Sequence, residues 1–133
     1  MLENPKINIK LKLSALWTSI LFLYIYADYF ELYTPEKVKN LFNNAEKLDS
    51  PNALLMATIV IAIPILMIVL SIFLKPKINR LLNISIGILF TLLVIVTAMD
   101  TFSKWYSFYL FYCILEAILT IIIVWTAWKW PKV

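Results

Sequence analysis

Glu116 lies near the middle of a long apolar stretch, residues 108–128, and no lysine, arginine or histidine falls inside the chain's other apolar runs to neutralise it. A carboxylate at the centre of a bilayer costs roughly 2.5 to 3.5 kcal/mol on insertion scales, so it normally faces a protein or water interior and serves a function. Around it, Tyr109, Tyr112, Cys113 and Thr120 follow the spacing of one helical face, which makes a polar stripe directed at a bundle interior. A second stripe is formed by Trp17, Tyr24, Asp28 and Glu31, separated by seven, four and three residues. Two acids therefore share that face, although Glu31 at the membrane boundary could simply be solvated and Asp28 could snorkel outward.

Glu116 has three ways to avoid an unpaired charge: protonation, hydrogen bonds from tyrosine hydroxyls, or a cationic guest. Tyr24, Tyr26, Tyr109 and Tyr112 could wall an organic cation by cation–π attraction, or could pack and hydrogen-bond within the protein. The candidate ligand- or proton-binding set is thus Glu116, Asp28, Tyr24, Tyr112, Tyr109 and Glu31. No catalytic nucleophile, metal site or cofactor site joins it. The chain has no histidine and a single cysteine, Cys113, which removes the usual haem and zinc ligand, histidine-based triads, an intramolecular disulfide and any CxxC motif.

The elements that must position these groups follow from composition. With 62% hydrophobic residues, one glycine and a mean hydropathy of +0.85, the 133 residues lie outside the soluble globular range and imply one integral membrane domain. Four apolar runs, about 13–33, 53–74, 81–99 and 105–127, are each long enough to cross roughly 30 Å as a helix. The expected fold is all-α: an antiparallel four-transmembrane-helix bundle, with a short amphipathic helix over about 35–48 in the outer loop. In that loop Thr34 can cap and Pro35 suits a first helical position, while Val38, Leu41, Phe42, Ala45 and Leu48 recur at helical spacing. The stretch after Lys12 is too long for a signal peptide and lacks a cleavage pattern, so the first span should be retained.

Counting basic residues by side sets orientation. Lys6, Lys10, Lys12, Lys75, Lys77, Arg80, Lys129 and Lys132 fall on one side, against Lys37, Lys39, Lys47 and Lys104 on the other, so both termini should be cytoplasmic in a multi-pass topology. That basic face could attract anionic membrane lipid, and the charge needs no nucleic acid partner. Glu116 then lies about 16 Å below the outer boundary, close to the midplane, with Asp28 nearer the outer surface by roughly 8 Å. The two could line one cavity if the first and last spans are neighbours. Pro64, within the second span, breaks a backbone hydrogen bond near the bilayer centre and leaves a carbonyl open to a ligand or a neighbouring helix. Asn83, Gly87 and Thr91 on the third span suit small-residue packing. Trp105, Trp125, Trp128 and Trp130 read as interfacial belts. No internal repeat is evident, so an alternating-access device would need a homo-oligomer.

Several short segments carry a resemblance: Tyr26-Ala27-Asp28, Ile63-Pro64-Ile65, Arg80 with Asn83, Glu116, and the ending Trp128-Lys129-Trp130-Pro131. In these the chain resembles an uncharacterised family of small bacterial four-span membrane proteins, a domain of unknown function. The resemblance covers most of the chain and implies the same architecture in a bacterial cytoplasmic (inner) membrane, without an activity. Small multidrug exporters are similar in size only, because this chain lacks their glycine-rich helices and carries its deepest acid on the last span. The leading expectation is a binding or proton-coupled transport protein for a small lipophilic, cationic molecule. Two other classes stay open: an accessory or assembly subunit whose acids meet a cation on a larger membrane partner, and a carboxylate-based acid–base enzyme on a lipid-like substrate.

Overall fold

A computed structural model describes residues 1–43, 50–101 and 103–132. Five α-helices follow one another: α1 (Ile9–Glu31), α2 (Lys37–Phe42), α3 (Pro51–Phe73), α4 (Pro76–Met99) and α5 (Ser107–Trp128), with a 3-10 turn at Lys104–Tyr106 before α5. Among the described residues there is no strand, and four helices are long and apolar enough to cross a membrane. The chain is therefore the all-helical bundle that its hydropathy predicts.

Local chemistry sets the helix ends. The Asn8 side chain accepts a hydrogen bond from the Lys10 amide at 2.8 Å, which starts α1 at Ile9, ahead of the apolar run. Ser50 accepts from the Ala53 amide at 3.1 Å and Pro51 opens α3. Leu74 and Lys75 are both extended, as a residue before proline must be, and Pro76 opens α4. Asn79 then reaches back with its amide to the Ser71 carbonyl at 2.6 Å, satisfying an acceptor left open where α3 ends.

The outer-loop helix departs from expectation. Thr34 does not cap it: its hydroxyl donates back to the Glu31 carbonyl at 2.6 Å and closes α1. Pro35 precedes the helix, and Glu36, left-handed at φ 66°, stands at the start of a six-residue α2. The remainder of the expected 35–48 helix falls partly on residues 44–49, which lie outside the described residues.

Around the bundle the order is α3, α1, α5, α4. Helix α1 packs between α3 and α5, and α4 packs chiefly on α5. Helices α3 and α4 touch little despite being consecutive. No residue of α3 before Pro64 is buried, whereas Pro64, Met67 and Ser71 are, so α3 is sealed into the bundle only at the end that carries the chain termini. At that end Leu13, Trp17, Ile20, Met67, Ile123 and Ala127 form the apolar core. Helices α4 and α5 approach closely at Gly87, where an added Cβ would stand 2.7 Å from Cγ2 of Val124. The outward faces carry Leu54, Leu55, Ile59, Ile88, Leu92, Ile114, Ile118 and Ile121, all exposed. So broad an apolar belt suits hydrocarbon and not water.

Candidate functional site

The two halves of the bundle interior have different chemistry. In the half nearer the termini, buried polar groups are fully engaged. Trp17 donates its indole N–H to Oδ1 of Asn83 at 2.8 Å, across the bundle from α1 to α4. The Asn83 amide donates to the Asn79 carbonyl oxygen at 2.9 Å and to Oδ1 of Asn79 at 2.6 Å, and the Ser71 hydroxyl approaches Oδ1 of Asn83 at 3.4 Å. All four side chains are fully buried. A network in which each donor has an acceptor is a bolt, not a site. Nearby, Thr91 and Thr120 pair at 2.7 Å between α4 and α5.

In the opposite half, where α3 stands away from α4, a cavity of about 250 Å³ opens between all four long helices. Helix α1 contributes Tyr24, Ala27 and Asp28; α3 contributes Val60 and Ile61. Phe90, Leu93, Val94 and Thr97 come from α4, and Tyr109 and Glu116 from α5. The rings of Trp17 and Tyr24 both lie against Phe90, at 6.2 and 6.3 Å between centroids. These aromatics form a floor separating the cavity from the asparagine network beneath.

Polar groups in the cavity are few, and while the Thr97 hydroxyl donates to the Leu93 carbonyl at 2.8 Å, others are without partners among the described residues. Glu116 is 5% exposed, and among the described residues no salt bridge or hydrogen bond reaches its carboxylate. The Tyr24 hydroxyl is buried without a hydrogen-bond partner. Pro64 has no N–H for the carbonyl of Val60, one helical turn earlier, and Val60 lines the same cavity. Asp28 is exposed and stands on the cavity wall, where it adds a second negative charge. Two acids and an unpartnered tyrosine hydroxyl therefore share a chamber that is otherwise mostly apolar.

Of the six candidate residues, Glu116, Asp28, Tyr24 and Tyr109 meet in this cavity. Tyr112 and Glu31 do not. Tyr112 lies about 60° around α5 from the buried face of Cys113, Glu116, Thr120, Ile123 and Ala127 and is half-buried beside Phe111, 6.1 Å between ring centroids. Glu31 keeps to the α1 stripe but one turn past the cavity, where it pairs with Lys37 at 3.0 Å and accepts from the Tyr106 hydroxyl at 3.1 Å. Sequence reasoning missed Phe90, Val60 and Val94 as lining residues, since apolar residues in an apolar span carry no distinguishing mark. It also missed Asn79. There a signal exists, because Asn79 and Asn83 stand four apart at the start of a span and two amides on one face are poorly suited to lipid.

No curated protein and no solved structure matches the chain. A family model does match, over residues 4–133, nearly the whole sequence that builds the four helices and the cavity, and the chain accordingly belongs to the family of unknown function DUF6326.

Proposed function

We propose that this is a multi-pass protein of a bacterial cytoplasmic membrane, with both termini cytoplasmic, that binds a small lipophilic cation in the four-helix cavity and exchanges it for a proton. The observation that carries the reading is Glu116: a buried carboxylate with, among the described residues, neither a cation nor a hydrogen-bond donor on it, in a cavity whose remaining walls are mostly apolar. A proton or a guest ammonium can each neutralise that group, and the two exclude one another, so binding and proton release are coupled. Because α3 and α4 touch little, an amphiphile would have a lateral path between them from the lipid.

Size narrows the guest. A cavity of about 150 Å³ holds benzene, so one of about 250 Å³ suits an aromatic ring with a short alkylammonium arm. The ring would lie among Phe90, Val94 and Ile61, and the ammonium at Glu116. Titration calorimetry with phenethylammonium, in buffers of differing ionisation enthalpy, tests both parts. Saturable binding with release of close to one proton per amine is expected. Absence of binding at millimolar amine would remove the cavity reading, and binding without proton release would remove the exchange.

A second reading draws on the exposure of Asp28 on the cavity wall. A basic residue on a partner's transmembrane helix could supply the cation in place of a small molecule, making the chain an assembly subunit. Copurification of one membrane protein, lost on Glu116→Gln, would favour it.

A further inference from the structure

A second concavity lies at the other end of the bundle and has the opposite charge. It measures about 660 Å³ and runs between the segment leading into α1 and the end of α5. Lys6, Lys12 and Lys129 line it, together with Asn8, Trp125 and Trp130. No acidic residue is among its walls, and among the described residues none of the three ammonium groups forms a salt bridge. The Lys129 ammonium rests over the Trp125 ring, 4.8 Å from its centroid.

The neighbouring cation is already occupied. Arg80 donates to the Ala127 carbonyl at 3.2 Å and the Trp128 carbonyl at 3.4 Å, so it satisfies the end of α5. The lysines of the groove are left for something else.

We propose that this groove binds the phosphate-bearing headgroup of an anionic phospholipid from the adjacent leaflet. Ammonium groups donate charge-assisted hydrogen bonds to phosphate oxygens. Tryptophans beside them occupy the headgroup level, where a ring meets the glycerol region and the upper acyl chain. The wall formed by Ile7, Ile9 and Pro131 favours an acylated phosphate over a free one. This site is independent of the acidic cavity and stands whether or not that cavity binds a cation.

The test is native mass spectrometry of the whole protein in mild detergent, titrated with phosphatidylglycerol or phosphatidylcholine. The intact protein should retain phosphatidylglycerol with clear preference, and millimolar inorganic phosphate should not displace it. Each of Lys6→Gln, Lys12→Gln and Lys129→Gln should weaken retention about fivefold, and the three together about a hundredfold. Lys75→Gln with Lys77→Gln, at the same end of the bundle but outside the groove, should leave retention unchanged. Equal retention of the two lipids overturns the proposal, as does displacement by inorganic phosphate. An equal loss in the Lys75/Lys77 variant also overturns it, because a diffuse positive face would then suffice. The single-lysine variants keep the test decisive if the triple variant does not fold.

Discussion

Replacing Glu116 by glutamine removes one charge and almost no volume, and separates an electrostatic site from an apolar one. At a contact of about 3 Å and an effective dielectric of about 20, an ammonium–carboxylate pair is worth about 5 kcal/mol. Desolvation of the guest cancels part of this, leaving a net loss of about 2 to 4 kcal/mol for Glu116→Gln, or about 30- to 1,000-fold weaker binding. The variant should fold at least as well as the parent, because a buried carboxylate without a partner among the described residues contributes no stabilising contact to lose. Calorimetry compares phenethylammonium with its neutral analogue 2-phenylethanol on both proteins. The amine should lose its affinity and the alcohol keep it. A loss below about threefold for the amine, or an equal loss for the alcohol, would refute the assignment of Glu116 as the group that receives the cation.

Other perturbations have distinct expected outcomes. Tyr24→Phe removes the buried unpartnered hydroxyl and should weaken amine binding by about two- to tenfold, the worth of one hydrogen bond, with no loss in unfolding temperature. Glu31→Gln breaks the pair with Lys37 at a cost of about 1 kcal/mol or less; amine affinity measured by calorimetry should not change, since Glu31 is outside the cavity. Asn83→Ala strands the Trp17 indole and Oδ1 of Asn79, each at about 1 to 3 kcal/mol, so thermal unfolding in detergent should shift strongly downward. Gly87→Ala should destabilise by about 1 to 3 kcal/mol, because the new methyl meets Val124, a side chain stiff about χ1. In a Val124→Ala background the same substitution should become neutral or stabilising, since alanine is the better helix former.

Much of this architecture is legible in the sequence because hydrophobic length and helical period act locally. The four spans follow from apolar runs, and the α5 face follows from Glu116 and Thr120 one turn apart. Their inward direction is observed: both are buried. The sequence could not say which wall each helix would share. Asp28 and Glu116 meet because α1 packs against α5, a fact of tertiary packing that no spacing encodes. Tyr112 shows the limit of counting in threes and fours: the i, i+3 rule admits residues up to 60° off the stripe axis, enough to leave a cavity. Thr34 shows another. A hydroxyl before a proline suits a cap, yet the same group can donate backward to the helix it leaves, and only the chain's direction after α1 decides between them.

The asymmetry of the bundle follows from where its polar residues have partners. Near the termini, Trp17, Ser71, Asn79 and Asn83 engage one another across α1, α3 and α4, and buried hydrogen bonds in an apolar medium resist separation because opening them strands every member. In the part of α3 that precedes Pro64 no such links are present, and none of its residues is buried. A proline at that junction removes one backbone hydrogen bond and permits the helix to diverge at modest cost. Motion of α3 about Pro64 would therefore widen or close the chamber at Glu116 while the asparagine network holds the other end fixed. Binding of a guest that bridges Glu116 and the Val60 carbonyl would favour the closed arrangement to the extent that it contacts both walls. Pro64→Ala, which returns an N–H to that carbonyl, should then weaken guest binding while raising the unfolding temperature. If guest affinity survives Pro64→Ala intact, α3 plays no part in holding the ligand and the chamber belongs to α1, α4 and α5 alone.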